Sequence, residues 1–185
     1  AYDDDALALL SERWQNVRIL AAGELGTPAN RDAGDMDIKR ITGGLLLQQR
    51  DLSPNNPQQW QHVTGPAPED GDLRAMGTAM IAVKYLKSNA VCLVNNGALV
   101  GAGAGQMDRV ASCRIAIDKA GDRAKGAIVG SDAFFPFRDG PDLLIAAGVR
   151  AIVQPGGSKR DEDTIAACND AGVTLMFTGP RHFRH

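Results

Sequence analysis

The stretch AIVGSDAFFPFRDGPDLLIAAGVRAIV, residues 127–153, holds two short apolar runs on either side of a segment with helical periodicity. The runs AIVGS (127–131) and VRAIV (149–153) suit buried strands, and DGPDLLIAA (139–147) suits a helix that Gly148 ends. A further helix and a further strand are predicted in the same order, at 161–171 and 173–177. Strand–helix–strand units of this length predict a parallel sheet with right-handed crossovers.

The rest of the chain is predicted to add helices and an antiparallel hairpin to this sheet. Apolar stripes with helical spacing predict helices at 3–14, 69–87 and 106–120. Apolar runs predict strands at 17–22 and 38–51, and a hairpin at 90–102 that turns at Asn95-Asn96-Gly97. The pair Gly43-Gly44 predicts a bulge or a close backbone approach within the strand at 38–51, and glycine and proline favour loops at 23–37 and 53–59. The sequence therefore predicts an α/β fold with a mixed, partly parallel sheet.

Composition argues against several classes of function. The 185 residues, 44% hydrophobic and 23% charged, suit one sizeable globular domain or two small ones. A formal net charge of −2 gives no electrostatic basis for binding nucleic acid or an anionic membrane, and no apolar run approaches the ~18 residues of a membrane span. The three cysteines form no CxxC pair, so we expect buried thiols in a reducing, cytoplasmic environment. Because the first residue is alanine, we expect a fragment or a processed chain.

A glycine-rich segment, GAGAGQMDR (101–109), leads into the third predicted helix. Such a loop allows backbone N–H groups to approach an anion at a helix N-terminus, but it can equally be a tight structural turn. The dinucleotide fingerprint requires a third glycine where Gln106 stands, and the preceding strand belongs to a hairpin, so an oxidoreductase is disfavoured. Arg109 is the more informative residue, because a guanidinium makes bidentate contacts to phosphate or carboxylate.

Two further loops carry polar groups suited to binding. Asn89, in KSNA (87–90), offers both a donor and an acceptor to a carboxamide, although a helix C-cap is the simpler interpretation. PGGS (155–158) follows a predicted parallel strand, at the edge where open α/β sheets bind ligands, and it can also be only a connection.

The segments SDAFFPFRDG (131–140) and RHFRH (181–185) are predicted to meet at that same edge. The first follows a strand and precedes a helix, and its Pro136 stiffens the loop. Asp139 can accept hydrogen bonds from a nitrogen heterocycle, or it can cap the following helix. The terminus is either a solvated basic tail or, as Phe183 favours, a segment that folds back across the sheet edge near PGGS. Together these groups predict a pocket for a flat heterocycle beside an anion.

Six motifs carry a resemblance to a known family. In chain order they are KRITGGLLLQQRD, KYLKSNAVCLV, VGAGAGQMDRV, SDAFFPFRDG, QPGGSKRDED and FTGPRHFRH. This set resembles the C-terminal part of the AICAR transformylase/IMP cyclohydrolase family of purine biosynthesis, and the resemblance runs through nearly the whole chain.

The resemblance implies a fold, an activity and an assembly. The fold would be cytidine-deaminase-like, with α/β/α layers, and residues 1–185 would form the C-terminal lobe of the transformylase domain. The cyclohydrolase domain and the upstream transformylase lobe would be absent. The family transfers a formyl group from 10-formyltetrahydrofolate to AICAR and then closes the IMP ring, as a homodimer with sites at the interface. The sequence has no H-x-E or P-C-x-x-C pattern, so no deaminase-type zinc is implied.

The resemblance also implies roles for individual residues. The catalytic candidates would be Asn89, which would hold the AICAR carboxamide, and His185. The substrate-binding residues would be Asn89, Arg109, Arg181 and Phe183. The folate-binding residues would be Val110, Phe134, Pro136, Asp139, Ser158 and Lys159. A monovalent cation, potassium, would lie near Ser88 and Asp132.

One departure limits the function that we expect of this chain by itself. The family's K-H-x-N-P motif, which supplies the histidine taken as general base, is absent from the 185 residues, and neither His182 nor His185 matches that histidine. A general base must lie within hydrogen-bond reach of the proton that it removes. We therefore expect either an incomplete part of the formyltransferase or, as the alternative, a non-catalytic folate- or nucleotide-binding module.

Overall fold

The structure is a computed structural model, and it describes residues 2–13, 16–21 and 36–184. The chain divides into two compact units, Ala1–Leu52 and Ser53–His185. None of the helices in the described residues has the length and apolar character of a transmembrane span.

The first unit contains helix α1 (Asp4–Arg13) and a hairpin of strands β1 (Met36–Ile41) and β2 (Gly44–Gln49). The two strands pair antiparallel, with Ile38 opposite Leu47. The single bulged strand predicted at 38–51 is therefore wrong. Gly43 adopts a φ of +81°, a conformation that favours glycine, so Thr42 and Gly43 turn the chain back on itself and Gly44 begins β2.

The strand predicted at 17–22 is also wrong over its described part. Residues 17–21 are irregular, and a short apolar run forms a strand only where a neighbouring strand can satisfy its backbone hydrogen bonds. Residue 22 and most of the predicted loop at 23–37 lie outside the described residues.

The second unit is a six-stranded mixed sheet with four helices. The strands are β3 (Gln61–Thr64), β4 (Val91–Asn95), β5 (Ala98–Gly103), β6 (Ile128–Ser131), β7 (Ala151–Gln154) and β8 (Thr174–Phe177). The helices are α2 (Asp70–Tyr85), α3 (Arg109–Ala120), α4 (Asp139–Ala146) and α5 (Asp161–Ala171). The strand order is β3-β8-β7-β6-β4-β5, with β6, β7 and β8 parallel and β3, β4 and β5 antiparallel to their neighbours.

Two apolar layers cover the faces of this sheet. On one face, α2 packs Met76, Met80 and Val83 against residues such as Ile128 and Val153. On the other face, α3, α4 and α5 supply Cys113, Leu144 and Cys168 to a cluster with Val91, Val129, Ile152 and Leu175. The α/β fold with α/β/α layers and a mixed, partly parallel sheet is confirmed.

The antiparallel strand β3 was not predicted from the sequence. It pairs with β8 at one edge of the sheet through a bulge between His62 and Thr64. Of its four residues, Gln61, His62, Val63 and Thr64, one alone is apolar. An exposed edge strand of this kind has little hydrophobic pattern to reveal it.

The hairpin turn predicted at Asn95-Asn96-Gly97 is confirmed. Asn96 and Gly97 adopt φ values of +49° and +75°, the conformation of a tight two-residue turn. The glycines that follow have a packing role, because a Cβ atom on Gly101 or Gly103 would lie 2.1 Å from a carbonyl oxygen of α3. They allow α3 to approach β5 closely.

The strand directions bring five segments to one edge of the sheet, the edge at which the carboxyl ends of β6, β7 and β8 lie. β6, β7 and β8 are parallel, so the segments that follow them, 132–138, 155–160 and 178–184, all leave at the same edge. β4 runs the opposite way, with Val91 opposite both Ser131 and Gly103. Its first residues, and the glycine-rich loop after β5, therefore reach this same edge.

A capping box fixes the start of α2 and makes a prediction for stability. The Asp72 carboxylate accepts a hydrogen bond from Glu69 N at 3.2 Å, while the Glu69 side chain accepts from the backbone of Asp72. Burial opposes ionisation of Asp72, but hydrogen bonds from Arg150 and from Glu69 N hold its pKa below the ordinary 3.8.

We expect Asp72→Ala to lower the free energy of unfolding by about 1 kcal/mol at neutral pH, measured by urea denaturation. Asp70→Ala, in the same turn but outside the capping box, is the matched control. A carboxyl whose pKa is lower in the folded chain than in the unfolded chain stabilises the fold at pH values above its unfolded pKa. The loss of stability caused by Asp72→Ala should therefore shrink as the pH falls below about 4. A deficit that persists undiminished at low pH would contradict a role for the carboxylate charge.

The three cysteines are buried and unpaired. Burial raises the pKa of Cys92, Cys113 and Cys168 to about 12. We expect a thiol reagent at pH 8 to leave the folded chain almost unlabelled and to label all three thiols in denaturant, because thiolate is the reactive form. Fast labelling of any cysteine in the folded chain would show that it is not buried in solution.

Candidate functional site

Two adjoining cavities open at the edge of the sheet where the segments that follow β6, β7 and β8 meet the start of β4. The first, which we call the arginine cavity, measures about 360 Å³ and is lined by Asn89, Arg109, Phe134, Arg181 and Phe183, with Met107, Asp108, Ala133 and Pro136. The second, the Asp139 cavity, measures about 300 Å³ and is lined by Val110, Phe135, Phe137, Asp139 and Gly140. Asp108, Arg109 and Pro136 line both cavities.

A buried ion pair lies at the base of the arginine cavity. Arg109 is the first residue of α3, which begins there because the Asp108 side chain accepts from Ala111 N at 2.7 Å. Its Nη1 atom donates to the carboxylate of Asp132 and, at 3.0 Å, to the hydroxyl of Ser131. Arg109 is 8% exposed and Asp132 is fully buried. Because a buried charge is costly unless it is paired, this pair fixes the guanidinium in one position.

Asp132 joins the ion pair to the other segments of the edge. One carboxylate oxygen accepts from Ala90 N at 3.1 Å. The other accepts from the hydroxyl of Ser88 at 2.5 Å. Its backbone carbonyl accepts from His182 N at 2.9 Å. One residue therefore holds together the start of β4, the helix α3 and the C-terminal segment.

Asn89 is held by hydrogen bonds on both ends of its side-chain amide. Its Nδ2 atom donates to the carbonyls of Gln106, at 2.9 Å, and Met107, at 3.3 Å, while Oδ1 accepts from Arg109 Nη2 at 3.0 Å. α2 has its C-cap at Leu86, so the interpretation of Asn89 as that C-cap is wrong. The amide is a fixed part of the cavity surface.

The C-terminal segment folds back over the edge, as predicted. Ser88 N donates to Arg184 O at 2.9 Å. The guanidinium of Arg181 lies over the ring of Phe134, 4.6 Å from its centroid. A Cβ atom on Gly157 would lie 3.9 Å from Arg181 Nη2, which puts the segment beside PGGS. His185 lies outside the described residues.

The Asp139 cavity gathers three of the predicted folate residues, Val110, Pro136 and Asp139. Asp139 is the first residue of α4, after the N-cap Arg138, and its Oδ1 atom accepts from Gly140 N at 2.8 Å. Phe134 lies instead in the arginine cavity, with the residues predicted to bind the substrate. Phe135 and Phe137, the latter 51% exposed, supply the aromatic rings of the Asp139 cavity.

Ser158 and Lys159 line neither cavity among the described residues. Ser158 N and Gly157 N both donate to the Asp161 carboxylate, at 3.1 and 2.7 Å, so these backbone donors are already used. The guanidinium of Arg160 lies 5.1 Å from the centroid of the Phe137 ring. This contact brings the PGGS loop next to the Asp139 cavity.

The donor set around Ser88 is of the type that binds hard cations. The Ser88 hydroxyl, the second Asp132 oxygen and Arg184 O belong to one hydrogen-bonded cluster, and such cations take oxygen ligands. Within the described residues there is no group of three or more His, Cys, Asp or Glu side chains suited to a metal.

The sequence of the chain matches a known family over most of its length. Residues 1–119 match the family described as AICARFT/IMPCHase bienzyme. The chain belongs to this family. The family inferred from the six motifs is thereby confirmed, and its relatives are bifunctional purine biosynthesis proteins.

Curated relatives of the AICARFT/IMPCHase family align with the whole chain. The bifunctional purine biosynthesis protein PurH of Streptococcus pyogenes is 45% identical over 186 residues, and that of Streptococcus gordonii is 44% identical over 185. In both cases the alignment covers 100% of this chain but 36% of the relative. The chain thus spans about a third of the length of the relatives that it matches.

Two solved structures show a distant similarity. Two forms of Acinetobacter baumannii RibD match with TM-scores of 0.36 and 0.38, at 19% and 21% identity. They cover 53% and 54% of this chain, and 31% and 33% of the matched chains.

Sequence reasoning missed several residues that line the cavities: Met107, Asp108, Ala133, Phe135, Phe137 and Gly140. Met107 is fully exposed and carries no polar group that would mark it. Phe137 belongs to the same motif as Phe134, and only the conformation of the loop decides which ring faces which cavity. A signal existed for Asp108, since an aspartate before a helical run is typical of an N-cap.

The Arg109–Asp132 ion pair makes a prediction for stability. Asp132→Ala leaves the buried Arg109 without its carboxylate, and we expect the free energy of unfolding to fall by about 3–5 kcal/mol. Asp139→Ala removes an exposed carboxylate seven positions away and should cost less than about 0.5 kcal/mol. Urea unfolding followed by circular dichroism measures both. A loss below about 1 kcal/mol for Asp132→Ala would show that Asn89 and Ser131 satisfy Arg109 by themselves.

Proposed function

We propose that this chain is part of phosphoribosylaminoimidazolecarboxamide formyltransferase, which transfers a formyl group from 10-formyltetrahydrofolate to AICAR in the synthesis of IMP. The observation that carries the proposal is the pair of adjoining cavities that share Arg109 and Pro136. A transfer between two bound molecules requires two sites in contact, since the reacting atoms must approach to about 3–3.5 Å.

The arginine cavity suits AICAR. Arg181 presents a guanidinium at its mouth, and guanidinium groups bind phosphate with good geometry. Asn89 Oδ1 accepts one hydrogen bond from Arg109 and has a second lone pair, which can accept from an amino or carboxamide group. Phe134 and Phe183 offer apolar surface to a heterocyclic base.

The Asp139 cavity suits the ring system of a folate. Phe135, Pro136 and Phe137 form an apolar surface, and Asp139, one of two carboxylates on the lining with Asp108, could accept hydrogen bonds from a pterin. Val110 adds a further apolar contact. Lys159 and Ser158, beside this cavity, would lie at its rim and suit the acidic end of a folate.

Formyl transfer also requires a general base. The amine of AICAR attacks the formyl carbon, the carbon–N10 bond of the folate breaks, the amine loses a proton and N10 gains one. Among the described residues, neither His62 nor His182 lines either cavity. The sequence contains no K-H-x-N-P motif. We therefore place the base in another part of the longer polypeptide, or in a partner subunit of a homodimer.

Ser88 and Asp132 would hold a monovalent cation, as the resemblance implies for potassium. Its charge would help to balance the carboxylate that orients Arg109, and its oxygen ligands would tie the C-terminal segment to the start of β4.

A second candidate function is a folate- or nucleotide-binding module without catalysis. It is favoured by the observation that the sequence holds binding groups but no K-H-x-N-P motif.

Calorimetric titration of the chain with AICAR and with 10-formyltetrahydrofolate tests the binding roles. We expect Arg181→Ala to weaken AICAR about tenfold, since the loss of one charged contact of ~1.4 kcal/mol has that effect. Phe137→Ala should weaken the folate by a similar factor and AICAR by much less. Arg184→Ala is the matched control, because this guanidinium lies over Tyr85 rather than in either cavity. If the wild-type chain binds neither molecule, the proposed function is wrong.

A formyl-transfer assay separates the two candidate functions. The chain by itself should bind both molecules without measurable turnover, and addition of the remaining two thirds of a relative such as the Streptococcus gordonii protein should restore it. Binding without any restored turnover supports the module. Turnover by the isolated chain would refute the placement of the general base elsewhere.

A further inference from the structure

Phe134 lies between two backbone groups that are each held by a buried side chain. On its N-terminal side, the Ser131 hydroxyl donates to Ala133 O at 2.7 Å. On its C-terminal side, Phe135 N donates to Gln154 Oε1 at 2.8 Å. Neither Ser131 nor Gln154 has exposed side-chain surface. The position of the Phe134 ring is therefore set by hydrogen bonds made underneath the loop.

Gln154 reaches this loop from a different strand. It is the last residue of β7, whereas the loop follows β6, and the two strands are parallel neighbours. Its backbone carbonyl also accepts from Thr178 N at 2.9 Å, in the segment that leads to Arg181. Gln154 is thus bonded to both segments that supply the stacked pair of Phe134 and Arg181.

The buried side chain of Gln154 is expected to lower the stability of the fold. Its Nε2 atom is buried and has no hydrogen-bond partner among the described residues. An unsatisfied buried donor lowers stability, and an apolar side chain of similar size would avoid that cost. An apolar side chain could not accept the hydrogen bond from Phe135 N. The acceptor Oε1 is therefore the atom of Gln154 that explains why a glutamine occupies this buried position.

We propose that Gln154 is a positioning residue, which holds the 132–138 loop through Phe135 N so that Phe134 faces the arginine cavity and stacks with Arg181. Phe135, on the other side of the bond, lines the Asp139 cavity. Loss of the bond would shift both rings, and with them the surface that meets a heterocyclic ligand. The proposal rests on the proposed function only for the ligand used in its test.

The decisive variant is Gln154→Met, which keeps the approximate volume and removes both the acceptor and the unsatisfied donor. The two losses oppose each other in stability, so we expect the melting temperature to change little. The Phe135 amide should exchange with deuterium at least tenfold faster, as measured by NMR. The Kd for AICAR should rise about five- to tenfold.

Two further variants separate positioning from a merely structural role. Gln154→Glu keeps a carbonyl acceptor at the same place, and burial raises the pKa of a carboxyl so that the neutral acid is favoured at mildly acidic pH. There it should restore both protection of the Phe135 amide and AICAR binding. Thr164→Val is the matched control: Thr164 is also fully buried, with an unpartnered hydroxyl among the described residues, but its change should leave binding and Phe135 exchange unaltered.

The proposal is overturned if Gln154→Met binds AICAR like the wild type or leaves the Phe135 amide protected. It is overturned equally if Gln154→Glu gives no recovery. Should Gln154→Met fail to fold, Gln154→Asn replaces it, since its carbonyl is one methylene shorter and cannot reach Phe135 N in the same backbone. If the wild-type chain does not bind AICAR at all, the proposed function fails, and amide exchange still decides the role of Gln154.

Discussion

The buried pair of Arg109 and Asp132 is the interaction on which the arrangement of the cavities depends. A carboxylate without exposure is stable only when its oxygens are fully used, and Asp132 uses its side chain and carbonyl to hold the start of β4, the helix α3 and the C-terminal segment. These three come from positions about 20 to 50 residues away along the chain. One charged residue thus converts a set of separate loops into a continuous surface.

The direction of the strands explains why such distant segments meet at all. Three parallel strands send their following loops to one edge, and the antiparallel β4 begins at that edge. Binding groups can then vary on the loops while the layers beneath them remain a conventional apolar core. Clusters of mainly Ala, Val, Ile, Leu, Met and Cys cover the two faces of the sheet, and the hydrogen bonds of Asp132 lie at the edge.

Glycine has a different function here from the one that its pattern suggests. The series Gly101, Gly103 and Gly105 resembles a phosphate-binding loop, but the first two allow α3 to pack against β5. Gly105 has a φ of +67° and donates its N–H to Lys87 O at 2.7 Å. The loop shapes the cavity because it positions Asn89 and Arg109. Its own backbone donor at Gly105 is already bonded to Lys87 O.

The sequence by itself determined the order of helices and strands in residues 69–177, the tight turn at Asn96-Gly97 and the family. These follow from local periodicity, turn chemistry and contiguous motifs, which do not depend on distant contacts. It failed where local pattern is ambiguous, as at Gly43-Gly44, where a turn separates two strands and no bulge interrupts a single one, and at the polar edge strand β3. Only the tertiary structure decided that Phe134 faces Arg181 while Phe137 faces Asp139, and that Gln154 lies beneath them. Which of several adjacent rings faces a cavity is set by hydrogen bonds from another strand, and no pattern within the segment itself records them.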